Sequence, residues 1–301
     1  MMWKLRSLGL CAALGLIAAA CGTATPPGQT QTAPPSTETP ATASAAPATP
    51  GTTGRAPGDR TVVAPVATIS VDGDPADWAA VPKLELTLEG IEGVEVPVES
   101  KQAAVQVAHD DKFVYVLFEV QDDYDWTAAD AHLSGASAVM WAVQSAAGPH
   151  MGPEDEAGEG PSMGMVDLWH WELECAARTQ TGGEASDPGE GNDPGNDSAC
   201  NFDDEWATTP KDREDDNGTG AENSLLGMWS HTSPTTSSAG TWVFEIRRPL
   251  QTGDAQDAQF AVGQMALLAL AYWDADQTPS GWKDEGHAQS SNQEWIEVTL
   301  D

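Results

Sequence analysis

Short segments in which apolar and polar residues alternate, each bounded by turn residues, recur along most of this chain. No other feature narrows the fold as far. The clearest is 240–250, Gly-Thr-Trp-Val-Phe-Glu-Ile-Arg-Arg-Pro-Leu, whose successive side chains would point to opposite faces of a sheet. Alternation of the same kind marks 84–88, 94–98 and 166–171. Two continuous apolar runs, 138–143 and 265–273, suit buried strands, and the second also suits a short helix. Residues 103–108 and 113–120 flank His109-Asp110-Asp111-Lys112 and read as a hairpin. Segment 295–300 closes the sheet. Near the other end, 68–78 reads as a short strand, an Asp72-Gly73 turn and a helical turn begun by Pro75 that docks Trp78 on the core. The pattern predicts an all-β fold, a single immunoglobulin-like or jelly-roll-type β-sandwich with long loops and few short helices.

The ends of the chain set the address. Residues 1–20 carry Lys4 and Arg6 and then an apolar, Ala-rich run too short for a good membrane span, as in a signal peptide. The run ends in Ala18-Ala19-Ala20-Cys21, which looks like a bacterial lipobox, so cleavage would leave Cys21 as a lipidated N-terminal residue. Ala18 stands where a lipobox usually has Leu, and an ordinary signal-peptidase cut is the other option. Residues 21–62 are Thr, Pro, Ala, Ser and Gly; they bury too little apolar surface to offset their ordering entropy and read as a disordered tether. The domain at 63–301 is then expected outside the cytoplasm, held to the cell membrane by lipid, at the cell surface or in the periplasm. A net charge of -34 and a pI near 4.1 exclude nucleic acid as a partner, because its phosphates would be repelled. In that oxidising compartment Cys175 and Cys200 are expected to pair, closing a loop of about 25 residues worth roughly 3 kcal/mol.

Three loop regions hold candidate ligands. Asp122, Asp123 and Asp125 follow the hairpin directly, and 182–219 is a Gly/Asp/Asn-rich excursion with Phe202 and Trp206 as anchors. Calcium could bind at such acidic loops, although the Gly and Glu positions of an EF-hand are missing and a solvated acidic turn is the other reading. The third loop, 147–161 with His150 and Met151, leads into Met163-Gly164-Met165-Val166-Asp167-Leu168-Trp169-His170-Trp171. As a strand it shows Val166, Leu168 and His170 on one face and Asp167, Trp169 and Trp171 on the other. The indoles and thioethers could wall a flat apolar ligand or serve as ordinary core; His170 reads as a hydrogen-bonded core residue.

Those residues, Val166 to Trp171 preceded by Ala138-Val139-Met140-Trp141, resemble the "MW … DLWHW" core of the ethylbenzene dehydrogenase-type haem-binding domain. Gly240-Thr241-Trp242 through Arg248-Pro249-Leu250-Gln251-Thr252-Gly253-Asp254 resembles its "GTW … RPLxTGD" strand. The resemblance implies a β-sandwich with one non-covalent haem b, without the Cys-x-x-Cys-His of covalent attachment. It implies a b-type cytochrome that transfers electrons as the γ subunit of a periplasmic molybdenum dehydrogenase or reductase. Its partner would be a catalytic oxidoreductase subunit or another redox protein, and by itself the chain would not be an enzyme. Met163 and His287 would ligate the iron, with Met165, Met151 and Lys283 as alternatives. Trp169 and Trp171 would line the haem, and Arg247 or Arg248 would pair with a propionate. Two protein ligands leave no open position for oxygen chemistry.

A different class suits the same sandwich. Segment 71–78 and the 12 tryptophans of the chain fit a carbohydrate-binding or surface-recognition module without haem. Hydrolase chemistry lacks a nucleophile elbow, a paired-His metal motif or a placed carboxylate pair.

Overall fold

A computed structural model describes residues 60–91, 96–127, 130–151, 164–173, 182–185, 202–208, 213–216, 224–282, 286–291 and 293–301. The described residues belong to one unit, Thr49–Asp301. Fourteen strands and two short 3₁₀ turns account for its regular structure among those residues. The strands are β1 (Thr61–Ala64), β2 (Leu84–Gly90), β3 (Lys101–His109), β4 (Phe113–Asp123), β5 (Ala136–Ala142), β6 (Val166–Glu172) and β7 (Gly182–Ala185). They continue with β8 (Phe202–Ala207), β9 (Arg213–Asp215), β10 (Leu226–His231), β11 (Ala239–Pro249), β12 (Met265–Trp273), β13 (Ala288–Gln289) and β14 (Ile296–Leu300).

The strands form the expected sandwich. One sheet runs β7-β10-β11-β4-β3-β2, the other β9-β8-β6-β5-β12-β14-β1, and short β13 pairs with both β2 and β12 where the sheets meet. Nearly every pairing is antiparallel; β1 lies parallel to β14. The hairpin at Asp110 is present, its carboxylate accepting from the backbone N–H groups of Lys112 and Phe113. Residues 265–273 form strand rather than helix, because Leu268, Leu270 and Tyr272 face the core while alternate residues face outward. The excursion carries more order than its composition suggests: β8 pairs along β6, with Trp171 opposite Phe202.

Between the sheets, Val105, Val107, Phe118, Phe244 and Ile246 of the first meet Trp141, Trp169, Trp171, Leu268 and Leu270 of the second. Each buried aromatic ring removes on the order of 150–250 Å² from water. The outer face of the first sheet is covered by the chain's own N-terminal segment. Trp78 sits there with Ile69, Tyr115 and Val243, and its indole N–H donates to Glu245 Oε1 at 2.7 Å. The backbone N–H groups of Gly73 and Asp72 donate to the other Glu245 oxygen at 2.6 and 2.9 Å. That staple leaves the outer face of the second sheet as the place to look for a site.

Candidate functional site

Three rows of cross-strand neighbours make up that outer face. Ala269, Met140, Leu168 and Glu205 lie side by side across β12, β5, β6 and β8; so do Ala271, Ala138, His170 and Asp203. The third row is Trp273, Ala136 and Glu172. Alanines therefore floor the middle of the sheet, with a half-buried Trp273 on one side and His170 and the carboxylates on the other. All four alanines are buried, each at 1% exposure or less. Met151 packs on this floor, and its backbone N–H donates to Gln289 Oε1 at 2.8 Å, so β13 pins the loop to the sheet. Half-buried Trp295 packs against the same cluster.

Trp273 is the hub of the aromatic contacts. Its ring centroid is 4.7 Å from that of His287, 5.2 Å from His170 and 6.1 Å from Trp282. His287 is buried, and its Nε2 has no hydrogen-bond partner among the described residues. Burial, with repulsion from His150 and His170, lowers its pKa to about 4, so the imidazole is neutral at ordinary pH. Both ring nitrogens of His170 also lack a hydrogen-bond partner among the described residues. The expectation that His170 is a hydrogen-bonded core residue is therefore corrected. A neutral, apolar floor edged by indoles and by imidazole nitrogens with free capacity can take a ligand that is apolar on one face and hydroxylated at its edge.

Among the described residues, those nominated from the sequence are split between the core and the outer faces of the two sheets. Trp169 and Trp171 point to the opposite side of β6, into the core: Trp141 and Phe260 pack on Trp169, and Phe202 stacks on Trp171 at 4.3 Å. Arg248 also points inward and is fully buried. It binds Asp167 at 2.5 Å and pairs with Asp257 and, at 3.5 Å, with Asp204. Arg247 lies on the outer face of the other sheet, over Phe113 at 4.6 Å. Met165 sits at the start of β6, its carbonyl accepting from the N–H groups of Val143 and Gln144. His287 and Met151 do share the outer face. Met163, Lys283, Cys21, Cys175 and Cys200 lie outside the described residues. The signal peptide and nearly all of the tether lie outside them too.

Of the acidic-loop candidates, Asp122 accepts from Lys101 Nζ at 2.6 Å and from the Tyr272 hydroxyl at 2.8 Å. Asp123 and Asp125 offer oxygens to a common space with Asp276. A separate groove of about 480 Å³ lies over β2, lined by Arg60, Glu85, Thr87, Glu89 and Gln102 with Leu84, Leu86 and Ile296 and no aromatic ring.

No protein-family model matches the chain, and no curated protein does. Among solved structures it is similar to a carbohydrate binding module of family 9 from Caldicellulosiruptor kristjanssonii in complex with cellotriose. The identity is 12%, the TM-score is 0.40, and 80% of this chain and 93% of that one are covered. The same module in complex with glucose gives a TM-score of 0.41 at 12% identity, covering 80% and 95%. A Bacteroides uniformis protein described as carbohydrate-binding gives a TM-score of 0.44 at 8% identity, covering 80% and 99%. The resemblance to the ethylbenzene dehydrogenase-type haem domain, and with it the cytochrome and electron-transfer reading, is corrected on the structure itself: Trp169, Trp171 and Arg248, which were to hold the haem, are buried in the interior between the sheets. The local match of Asp167 to Trp171 has a simpler physical basis. Alternating indoles on a central strand are what this core requires.

Proposed function

We propose that the chain is a carbohydrate-binding, surface-recognition module, displayed outside the cytoplasm on a lipid-anchored tether. The observation that carries this reading is the pair of half-buried indoles, Trp273 and Trp295, on an alanine-floored sheet face next to His287 Nε2, which has no hydrogen-bond partner among the described residues. A pyranose has an apolar C–H face and an equatorial rim of hydroxyls. Its C–H face would lie on Trp273, and its hydroxyls would reach His287 Nε2 and the half-buried carboxylate of Glu172. Strand register fixes Trp273 and Glu172, and His287 directly precedes β13, so little ordering cost remains for binding. The acidic surface disfavours anionic glycans and points to neutral ones.

The test is a glycan array followed by calorimetry on the best hit, with the full chain. Neutral glycans should be retained. Trp273→Ala should weaken binding by tenfold or more, about 1.4 kcal/mol, while Met265→Ala, at an exposed position on the same strand, should leave it unchanged. An array with no retained glycan, or a hit indifferent to Trp273→Ala, would overturn the reading.

A further inference from the structure

Beside the aromatic site, on the far edge of the same face, three buried groups of a different chemistry converge. His170 and Asp203 are directly opposed across β6 and β8, and Glu205 lies two residues further along β8 on the same side. Their relative exposures are 4%, 3% and 1%. One donor atom from each lies within 4.8 Å of the others. His170 Nδ1 stands 3.8 Å from Glu205 Oε1, and His170 Nε2 stands 3.9 Å from Glu172 Oε1. Both separations are too long for a hydrogen bond. Neither imidazole nitrogen has another hydrogen-bond partner among the described residues, although the ring is almost wholly withdrawn from solvent.

We infer that His170, Asp203 and Glu205 form a binding site for a first-row divalent transition-metal ion, with Zn²⁺ as the reference ion. An ion held at about 2.0–2.2 Å by nitrogen and oxygen donors sets those donors roughly 3–3.5 Å apart. His170 and Glu205, already 3.8 Å apart, reach that geometry with side-chain shifts of a few tenths of an ångström, and Asp203, whose donor lies within 4.8 Å of both, with a rotamer adjustment of about 1 Å. The imidazole selects against calcium and magnesium, which take oxygen donors, and the absence of sulfur selects against soft monovalent copper. The strands supply rigidity, since His170 and Asp203 are fixed by direct backbone pairing. Two carboxylates neutralise the ion's charge, and three protein donors leave it an open position for water or a ligand oxygen. The metal site stands whether or not the neighbouring indoles bind carbohydrate.

Calorimetry of tag-free, EDTA-treated full-length chain with Zn²⁺ should give one ion per chain and a raised melting temperature. His170→Gln and Glu205→Gln should each weaken binding at least tenfold, whereas Met265→Ala, at an exposed position, should not. Absence of Zn²⁺ binding by the unaltered protein, or binding that survives both of the first two substitutions, would overturn the site. Cu²⁺ electron paramagnetic resonance on unaltered protein tests the same donors without any variant. Superhyperfine splitting from a single imidazole nitrogen supports the assignment, and splitting from none or from two or more refutes it.

Discussion

Arg248 shows how much one side chain decides here. Its guanidinium is fully buried among Asp167, Asp204 and Asp257, and Asp167 also accepts from the backbone N–H of Ala258 at 2.8 Å. A guanidinium suits this place because its fork reaches several carboxylates at once and stays charged when dry. Desolvation would lower its pKa, but the three carboxylates outweigh that and hold it raised. Burial likewise pushes Asp167 up, to about 6, against the pull of Arg248. Replacing Arg248 by Met would leave carboxylates buried without their counter-charge. The expected cost is about 3–5 kcal/mol, read as a lower urea midpoint. In sequence Arg248 could only be placed near a strand end. Its pairing opposite Val114 turns it inward, and its partners come from strands and loops far away in the chain.

At the scale of an element, strand β6 binds the molecule together. It pairs with β5 on one side and β8 on the other, so both edges are spoken for. Its inward indole Trp171 presses against β10, where a Cβ added to Gly227 would meet Trp171 Cζ3 at 2.5 Å and Phe202 Cε1 at 3.0 Å. Gly227→Ala should therefore overpack the core and cost about 1–3 kcal/mol, visible in thermal or urea unfolding. The period-2 alternation of β6 was readable from residues alone, including which side chains share a face. Which face looks inward was not readable, since both carry large apolar groups. The order of strands decides it: Trp169 and Trp171 face the other sheet, and the same geometry turns His170 to the outer face of its own, where it is still buried.

Across the whole molecule the excess of acid shapes the response to pH and salt. The net charge of -34 destabilises the compact state by self-repulsion, so added NaCl should raise the urea midpoint. Burial, reinforced by Asp257 and Asp254, raises Asp216 to about 7. A carboxyl with a raised folded-state pKa contributes stability that is complete below its unfolded value and is lost as pH rises through the folded one. Asp276, raised to about 7 chiefly by its hydrogen bond with Asp274, acts in the same direction. His287 acts oppositely: with a pKa lowered to about 4, its contribution is complete above the usual histidine value and is lost as pH falls toward 4. The two effects oppose each other below about pH 6.5, and the carboxyls act alone above it. Urea midpoints should thus fall between about pH 6.5 and 8, and Asp216→Asn should flatten part of that slope. A midpoint that climbs over this interval would contradict the assignment.

The residues by themselves determined the β-sandwich, because alternation and turn chemistry are local properties that a strand must satisfy wherever it lies. They also determined the acid excess. Tertiary structure decided the site. The alanine floor, the opposition of His170 to Asp203, and the meeting of Trp273 with His287 come from strands that are distant in the chain. Strand pairing and sheet packing are long-range. A run such as Asp167-Leu168-Trp169-His170-Trp171 therefore holds two faces, and only its neighbours settle which meets the other sheet and which turns outward.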